Sequence, residues 1–135
     1  MDQKLADLAI AAKDNSYSPY SNFAVGAAIK LVDGTYIQGT NIENASFGAT
    51  NCAERSTLFA AYSQGYKKAD ITAIAVTSNM TNPVPPCCIC RQVMLELLEL
   101  DCPVYMIGKE QVIETTVSDL VPFQFTEDEL KQGQV

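Results

Sequence analysis

Apolar positions recur along the chain with two different periods, and the switches between them mark out the elements. Over residues 2–14, Leu5, Leu8 and Ala12 stand at helical spacing. The pattern stops ahead of Asn15 and Pro19, which predicts a first helix. Phe23, Val25, Ala27, Ile29 and Leu31 then occupy alternate positions, and Asp33-Gly34 supplies a turn before Thr35-Tyr36-Ile37. That stretch predicts a β-hairpin. Residues 52–64 return to the helical period, with Leu58, Phe59 and Tyr62 on or near one face and Gly65 as the stop signal. Ile71 to Val76 is almost continuously apolar, as a strand covered on both faces is. Arg91 to Leu100, with Val93, Leu97 and Leu100 on one face, predicts a further amphipathic helix running on from a cluster of cysteines. Val104 to Ile107 and Val112 to Val117 complete the pattern as two short strands.

The order α-β-β-α-β-α-β-β implies an α/β domain, helices layered on a mixed β-sheet of about five strands. The hairpin contributes the antiparallel part, and right-handed strand–helix–strand crossovers the parallel part. The chain shows no repeat, low-complexity tract or linker, so residues 1–135 are expected to form a single domain. Both cysteine-bearing segments then enter helices from loops, which places them on the same edge of the sheet.

Composition narrows the chemistry. With 47% hydrophobic and 19% charged residues, the chain can build a core and is neither disordered nor fibrous. Nine Lys and Arg against sixteen Asp and Glu leave a net charge of −7 with no basic run, a surface that repels phosphate backbones and argues against a nucleic-acid partner. Met1-Asp2-Gln3-Lys4 does not open a secretion signal, and the long uncharged stretch from Ile71 to Cys90 is broken by Thr, Asn and Pro. A soluble cytoplasmic protein without a membrane partner is expected. The chain has no histidine, which excludes Ser-His-Asp and Cys-His nucleophiles and every His-containing metal site. Proton transfer near neutral pH is left to a tuned carboxylate, a thiolate or a metal-activated water. Five cysteines, an odd number in a chain with no export signal, favour a thiolate metal site or free thiols over disulfides.

Two short strings carry the chemistry: Cys52-Ala53-Glu54-Arg55 and Pro86-Cys87-Cys88-Ile89-Cys90-Arg91-Gln92. A Cys-x-x-Cys at a helix start sets two sulfurs about one turn apart, converging on a tetrahedral centre. Cys52 supplies a third thiolate if its helix begins alongside. Three protein ligands leave one position open, which is the catalytic pattern, and zinc is the default metal for sulfur-only sites. A zinc-stabilised interaction module would instead close the site with a fourth ligand. Glu54, two residues past Cys52, can face the open position without binding the metal and move protons there. Cys88 could replace Cys87 in a Cys-x-Cys arrangement, and Cys102 reads as a buried apolar filler.

Joined to Tyr20-Ser21-Asn22-Phe23-Ala24-Val25-Gly26-Ala27-Ala28, Asn41-Ile42-Glu43-Asn44-Ala45 and Leu120-Val121-Pro122 with Phe125 beyond, these strings resemble the small, three-cysteine, homotetrameric group of cytidine deaminases over nearly the whole chain. The resemblance implies Zn2+ on Cys52, Cys87 and Cys90, and proton transfer by Glu54. It sets Phe23, Asn41 and Glu43 around a nucleoside, with Asn41 and Glu43 bonding the ribose. It gives the Ala53 backbone N–H to the pyrimidine 2-carbonyl, and the Pro85 carbonyl to the departing amine. Phe125 resembles an aromatic residue that reaches a neighbouring subunit's site. The implied reaction is hydrolytic deamination of free cytidine and 2′-deoxycytidine in pyrimidine salvage, within a homotetramer. Three thiolates on one Zn2+ leave an excess negative charge. Two helix N-termini and Arg55, one turn beyond Cys52, are expected to offset it, with Arg91 as the second candidate.

Overall fold

The computed structural model describes residues 1–132. Its elements are α1 (Gln3–Lys13), β1 (Val25–Leu31), β2 (Tyr36–Thr40), α2 (Ala53–Ser63), β3 (Ile71–Ser78), α3 (Cys88–Leu97), β4 (Pro103–Ile107), β5 (Val112–Thr116), α4 (Val117–Leu120) and α5 (Glu127–Gln132). The strands form one sheet in the order β2-β1-β3-β4-β5. β1 runs antiparallel to both β2 and β3, β3 parallel to β4, and β4 antiparallel to β5, so the sheet is mixed as expected. α3 provides the crossover between the parallel neighbours β3 and β4. α2 links β2 to β3, which run in the same direction on either side of β1.

Each face of the sheet has its own core. On one face Leu5, Ala6 and Ala9 of α1 pack against Ala28, Ala73 and Ala75. On the other, Leu58 and Ala61 of α2 and Met94 of α3 meet Ile29, Ile74, Val76 and Val104. Burial on both faces explains the continuous apolar run of β3, where Thr72 alone is exposed. Two glycines let the helices sit this close. A Cβ on Gly26 would lie 2.1 Å from the Ala9 carbonyl oxygen, and one on Gly39 would lie 2.7 Å from the Thr57 nitrogen. At the start of α1, Asp2 accepts from the Lys4 N–H at 3.0 Å and from the Tyr36 hydroxyl, and lies 3.2 Å from Lys30 Nζ. The Tyr36 hydrogen bond is the main reason its carboxyl is held at about 2.

Several details differ from the sequence expectation. Phe23 lies outside the hairpin, because residues 20–24 are held as an irregular loop and β1 begins at Val25. The helix expected over Arg91–Leu100 runs from Cys88 to Leu97; it buries Cys90, Met94 and Leu95, with Val93 and Leu97 half-buried against the same core and Leu100 outside it. Leu98, just past its end, is fully buried while Leu100 is exposed. In α2, Glu54, Leu58 and Ala61 turn inward and Phe59 is exposed. Both shifts have one cause: a residue of the site, Cys90 or Glu54, faces inward and sets the helical phase, so the apolar positions at i+4 and beyond follow it. The strand expected to reach Val117 ends at Thr116, whose hydroxyl caps α4 by accepting from the Asp119 N–H at 3.2 Å. Glu127, Asp128 and Glu129 are exposed in α5. Among the described residues no helix is long and apolar enough to cross a membrane.

Candidate metal centre and active site

Cys52 is the N-cap of α2 and Cys87 the N-cap of α3. The two helix starts meet at the end of the sheet where Val25 pairs with Ser78, and their sulfurs stand 3.8 Å apart. Helical winding after Cys87 brings Cys90 round to the same point, its N–H donating to the Cys87 sulfur at 3.5 Å. The sulfurs of Cys52, Cys87 and Cys90 all lie within 4.8 Å of one another, and among the described residues this group holds no fourth metal-binding side chain. Sulfurs bound tetrahedrally to zinc at ~2.3 Å would be separated by about 3.8 Å, so the donor set fits zinc in both chemistry and spacing. Cys88 is exposed and outside the group, so the Cys-x-Cys alternative is not the arrangement that assembles. Cys102 is buried in the core beside Leu98 and Val104, where burial pushes its thiol up to about 12, in keeping with a packing role.

The charges around the sulfurs are arranged in kind. Arg55 Nη2 donates to the Cys52 sulfur at 3.2 Å. The thiol of Cys52 is pulled down, first by hydrogen bonding from Cys90 and then by Arg55. Arg91, the other candidate for this task, is occupied elsewhere. Its Nε donates to the Pro86 carbonyl at 2.8 Å and its Nη1 to the Leu120 carbonyl at 3.2 Å, so it braces the loop before Cys87 against the end of α4. Glu54, on the first turn of α2, is only 4% exposed. Burial pushes its carboxyl above the usual range, and the negative Cys52 beside it adds to the shift. A carboxyl so placed is a better proton acceptor than one in water.

Above these groups opens a cavity of about 350 Å3 with Cys52, Ala53, Glu54 and Cys87 at its base. Phe23, Asn41, Glu43 and Pro85 line it. Asn41 is buried and largely committed to the protein. Its Oδ1 accepts from Ser16 Oγ at 2.5 Å and from the Val25 N–H at 2.9 Å, and its Nδ2 donates to the Phe23 carbonyl at 2.7 Å. One amide hydrogen of Nδ2 is left over. Glu43 accepts from the Tyr20 and Ser21 N–H groups at 3.0 and 3.1 Å and from the Ser21 hydroxyl, bonds that hold it ionised and lower its pKa. Phe125 is not brought to this cavity: it is 56% exposed, and Gln92 Nε2 donates to its carbonyl at 2.8 Å.

Sequence reasoning missed the wall formed by Val76, Thr77 and Ser78 and the support that Ser16 lends Asn41. The first had a signal, since sites in α/β sheets gather at the carboxyl ends of parallel strands, and β3 ends there. The second joins positions 25 residues apart and leaves no trace in local spacing.

The family model for the cytidine and deoxycytidylate deaminase zinc-binding region matches residues 1–106. The chain is 50% identical over 129 residues to a cytidine deaminase of Halalkalibacterium halodurans, covering 95% of this chain and 96% of that one. It is 43% identical over 120 residues to a cytidine deaminase of Sporosarcina psychrophila, covering 88% and 87%. Among solved structures, the cytidine deaminase of Burkholderia pseudomallei superposes with a TM-score of 0.89 at 43% identity, over 93% of this chain and 99% of that one. The cytidine deaminase of Mycobacterium tuberculosis superposes with a TM-score of 0.77 at 34% identity, over 92% and 96%.

Proposed function

The chain belongs to the cytidine and deoxycytidylate deaminases, a zinc-binding family, and from that premise we infer that it hydrolyses free cytidine and 2′-deoxycytidine to uridine and 2′-deoxyuridine with release of ammonia. The observation that carries the reading is the cluster of three sulfurs at the base of a nucleoside-sized cavity, with the buried carboxyl of Glu54 beside it. Cys52, Cys87 and Cys90 hold the zinc. Bound there, the ion supplies Lewis acidity toward a water in the position the protein leaves open. Arg55 and the starts of α2 and α3 offset the excess negative charge of three thiolates.

The protein's own groups do the rest. Glu54 takes one proton of the attacking water and passes it to N3 of the ring as C4 becomes tetrahedral; it then takes the proton of the new C4 hydroxyl and delivers it to the departing amine as the C4–N bond breaks and the 4-carbonyl forms. Its position in a water-poor pocket gives it the basicity for the first transfer. The Ala53 N–H, at the start of α2, binds the pyrimidine 2-carbonyl, and the Pro85 carbonyl accepts from the leaving amine. Phe23 packs against the nucleoside, while the spare hydrogen of Asn41 Nδ2 and the Glu43 carboxylate bond the ribose hydroxyls. An ionised Glu43 at the sugar end repels a 5′-phosphate, and the net charge of −7 acts the same way on nucleic acid, which favours free nucleosides.

Exposed and not lining the cavity of its own chain, Phe125 completes the site of a neighbouring subunit in a homotetramer. Residues 1–135 act as one domain, and the reaction serves pyrimidine salvage in the cytoplasm. Ultraviolet assays of the zinc-loaded protein with cytidine, 2′-deoxycytidine, adenosine and cytidine monophosphate in parallel test the substrate assignment. Turnover of the two cytosine nucleosides alone is the expected result. Conversion of adenosine or of the monophosphate without cytidine overturns it.

A further inference from the structure

Phe23 sits in a stretch that belongs to no element. Residues 20–24 are irregular, and Asn22 is left-handed with φ of 56°. Such a stretch has no ladder of its own, so its shape depends on what its main-chain groups bind. Glu43 takes the Tyr20 and Ser21 N–H groups, Ser21 Oγ takes the Phe23 N–H at 3.0 Å, and Asn41 takes the Phe23 carbonyl. The Asn22 N–H donates to the Ser18 carbonyl at 3.0 Å, and the Asn22 carbonyl and both main-chain groups of Ala24 all bond to a single residue. Asn79 Nδ2 donates to the Asn22 carbonyl at 2.9 Å, and its Oδ1 accepts from the Ala24 N–H at 3.3 Å. Its own N–H donates to the Ala24 carbonyl at 3.0 Å.

Asn79 follows directly on β3, whose ladder with β1 ends at the Val25–Ser78 pair. Its side-chain amide therefore continues the ladder where the partner segment has left it, bracketing Phe23 from both sides. Asn79 itself does not line the cavity. We propose that Asn79 is a positioning residue for nucleoside binding, an amide clip on the Asn22–Ala24 main chain that sets the Phe23 ring against the substrate. The proposal rests on the role given to Phe23 above. An amide is required because the clip donates at one end and accepts at the other. An aspartate keeps only the accepting end and turns an anion toward a carbonyl. The clip is at the surface, where water can replace a lost bond, so its loss loosens the loop without unfolding the sheet.

The test compares Asn79→Ala, Asn79→Asp, Phe23→Ala and the Phe23→Ala/Asn79→Ala double variant, each as the full chain loaded with zinc. Asn79→Ala should raise KM for cytidine roughly 3- to 10-fold, the worth of one to two hydrogen bonds, with kcat within about twofold and zinc content unchanged. Asn79→Asp should also raise KM, since it loses the donating end, and it carries the test alone if the alanine variant does not fold, a wild-type KM then overturning the proposal. The double variant should be no worse than Phe23→Ala, because a clip acting through Phe23 has nothing left to position. A wild-type KM in Asn79→Ala, a loss confined to kcat, or effects that multiply in the double variant overturn the proposal. A wild-type KM in Phe23→Ala instead refutes the assignment of Phe23, and with it any route from Asn79 through that ring.

Discussion

Gly39 lies on β2 beneath α2, and replacing it by alanine should cost far more catalysis than its distance from the substrate suggests. The added Cβ would lie 2.2 Å from Thr57 Oγ1, 2.7 Å from the Thr57 nitrogen and 3.0 Å from its Cα. The hydroxyl could rotate away, although it now donates to the Ala53 carbonyl at 2.8 Å, but the main-chain atoms cannot. Restoring ordinary contact, which begins at 3.4 Å, moves α2 off the sheet by about 0.7 Å. That helix carries Cys52 at its cap and Ala53, Glu54 and Arg55 on its first turn, so the shift is imposed on a sulfur, the proton carrier and the thiolate partner together. Overpacking of this kind costs about 1–3 kcal/mol, roughly 4–11 °C in Tm for a domain of this size. Displacing catalytic groups by most of an ångström should lower kcat/KM by roughly 10- to 100-fold. The assay is the loss of cytidine absorbance, with zinc content and thermal melting measured on the same sample. Gly26→Ala is the control: its Cβ meets the Ala9 carbonyl oxygen at 2.1 Å and the Lys13 nitrogen at 2.5 Å, so it overpacks α1 in the same way on the opposite face. It should lose comparable stability and keep kcat/KM within about threefold, since α1 carries no group of the site. Equal losses of kcat/KM in the two variants, or wild-type turnover in Gly39→Ala, would refute this reasoning.

Glu54→Gln should retain zinc and fold while kcat falls by ~10²- to 10⁴-fold, and a variant keeping more than about a tenth of wild-type kcat would remove Glu54 from proton transfer. Serine at Cys52, Cys87 or Cys90 should abolish zinc binding and activity together, whereas Cys88→Ser should keep about one zinc per chain by metal analysis; loss of zinc from Cys88→Ser alone would show that the wrong sulfur has been chosen. Mixing Glu54→Gln and Phe125→Ala proteins under conditions of subunit exchange should restore part of the activity, and no recovery despite demonstrated exchange would return Phe125 to its own chain. Asp2 is more acidic in the fold than its ordinary 3.8, so its ionised form stabilises the fold above that pH, and the contribution is lost as pH falls through about 2. Tyr36→Phe removes the largest cause of that shift, so its Tm deficit should shrink between about pH 5 and pH 2; a deficit constant across that range would refute the linkage.

The mixed sheet, the hairpin, both crossover helices and the zinc chemistry were legible before any coordinates, because each is written in short-range spacing. Cys-x-x-Cys at a helix start brings two sulfurs together by winding alone, and Cys-x-Glu sets an acid one step past a third, whatever the rest of the chain does. The absence of histidine left little else for those residues to be. What spacing could not decide was phase and partnership. Val93, Leu97 and Leu100 make as good an apolar stripe as Cys90, Met94 and Leu98. Only the pull of Cys90 toward a sulfur 38 positions earlier in the chain selects the second. The same holds for Arg55 and Arg91, the first and second candidates for the thiolate partner, both of which stand next to a ligand or one turn from it in sequence. α2 turns Arg55 onto Cys52, while Arg91 holds the Pro86 carbonyl of its own loop and the Leu120 carbonyl at the end of α4. Asn79, 57 residues from the carbonyl it binds, follows no motif, since its partner is fixed by the β1–β3 register. Local periodicity encodes what a segment can form. Which of its faces turns inward, and which distant main-chain group a polar side chain must satisfy, is settled only when the sheet brings those segments together, because an unpaired polar group buried there costs more than the contact returns.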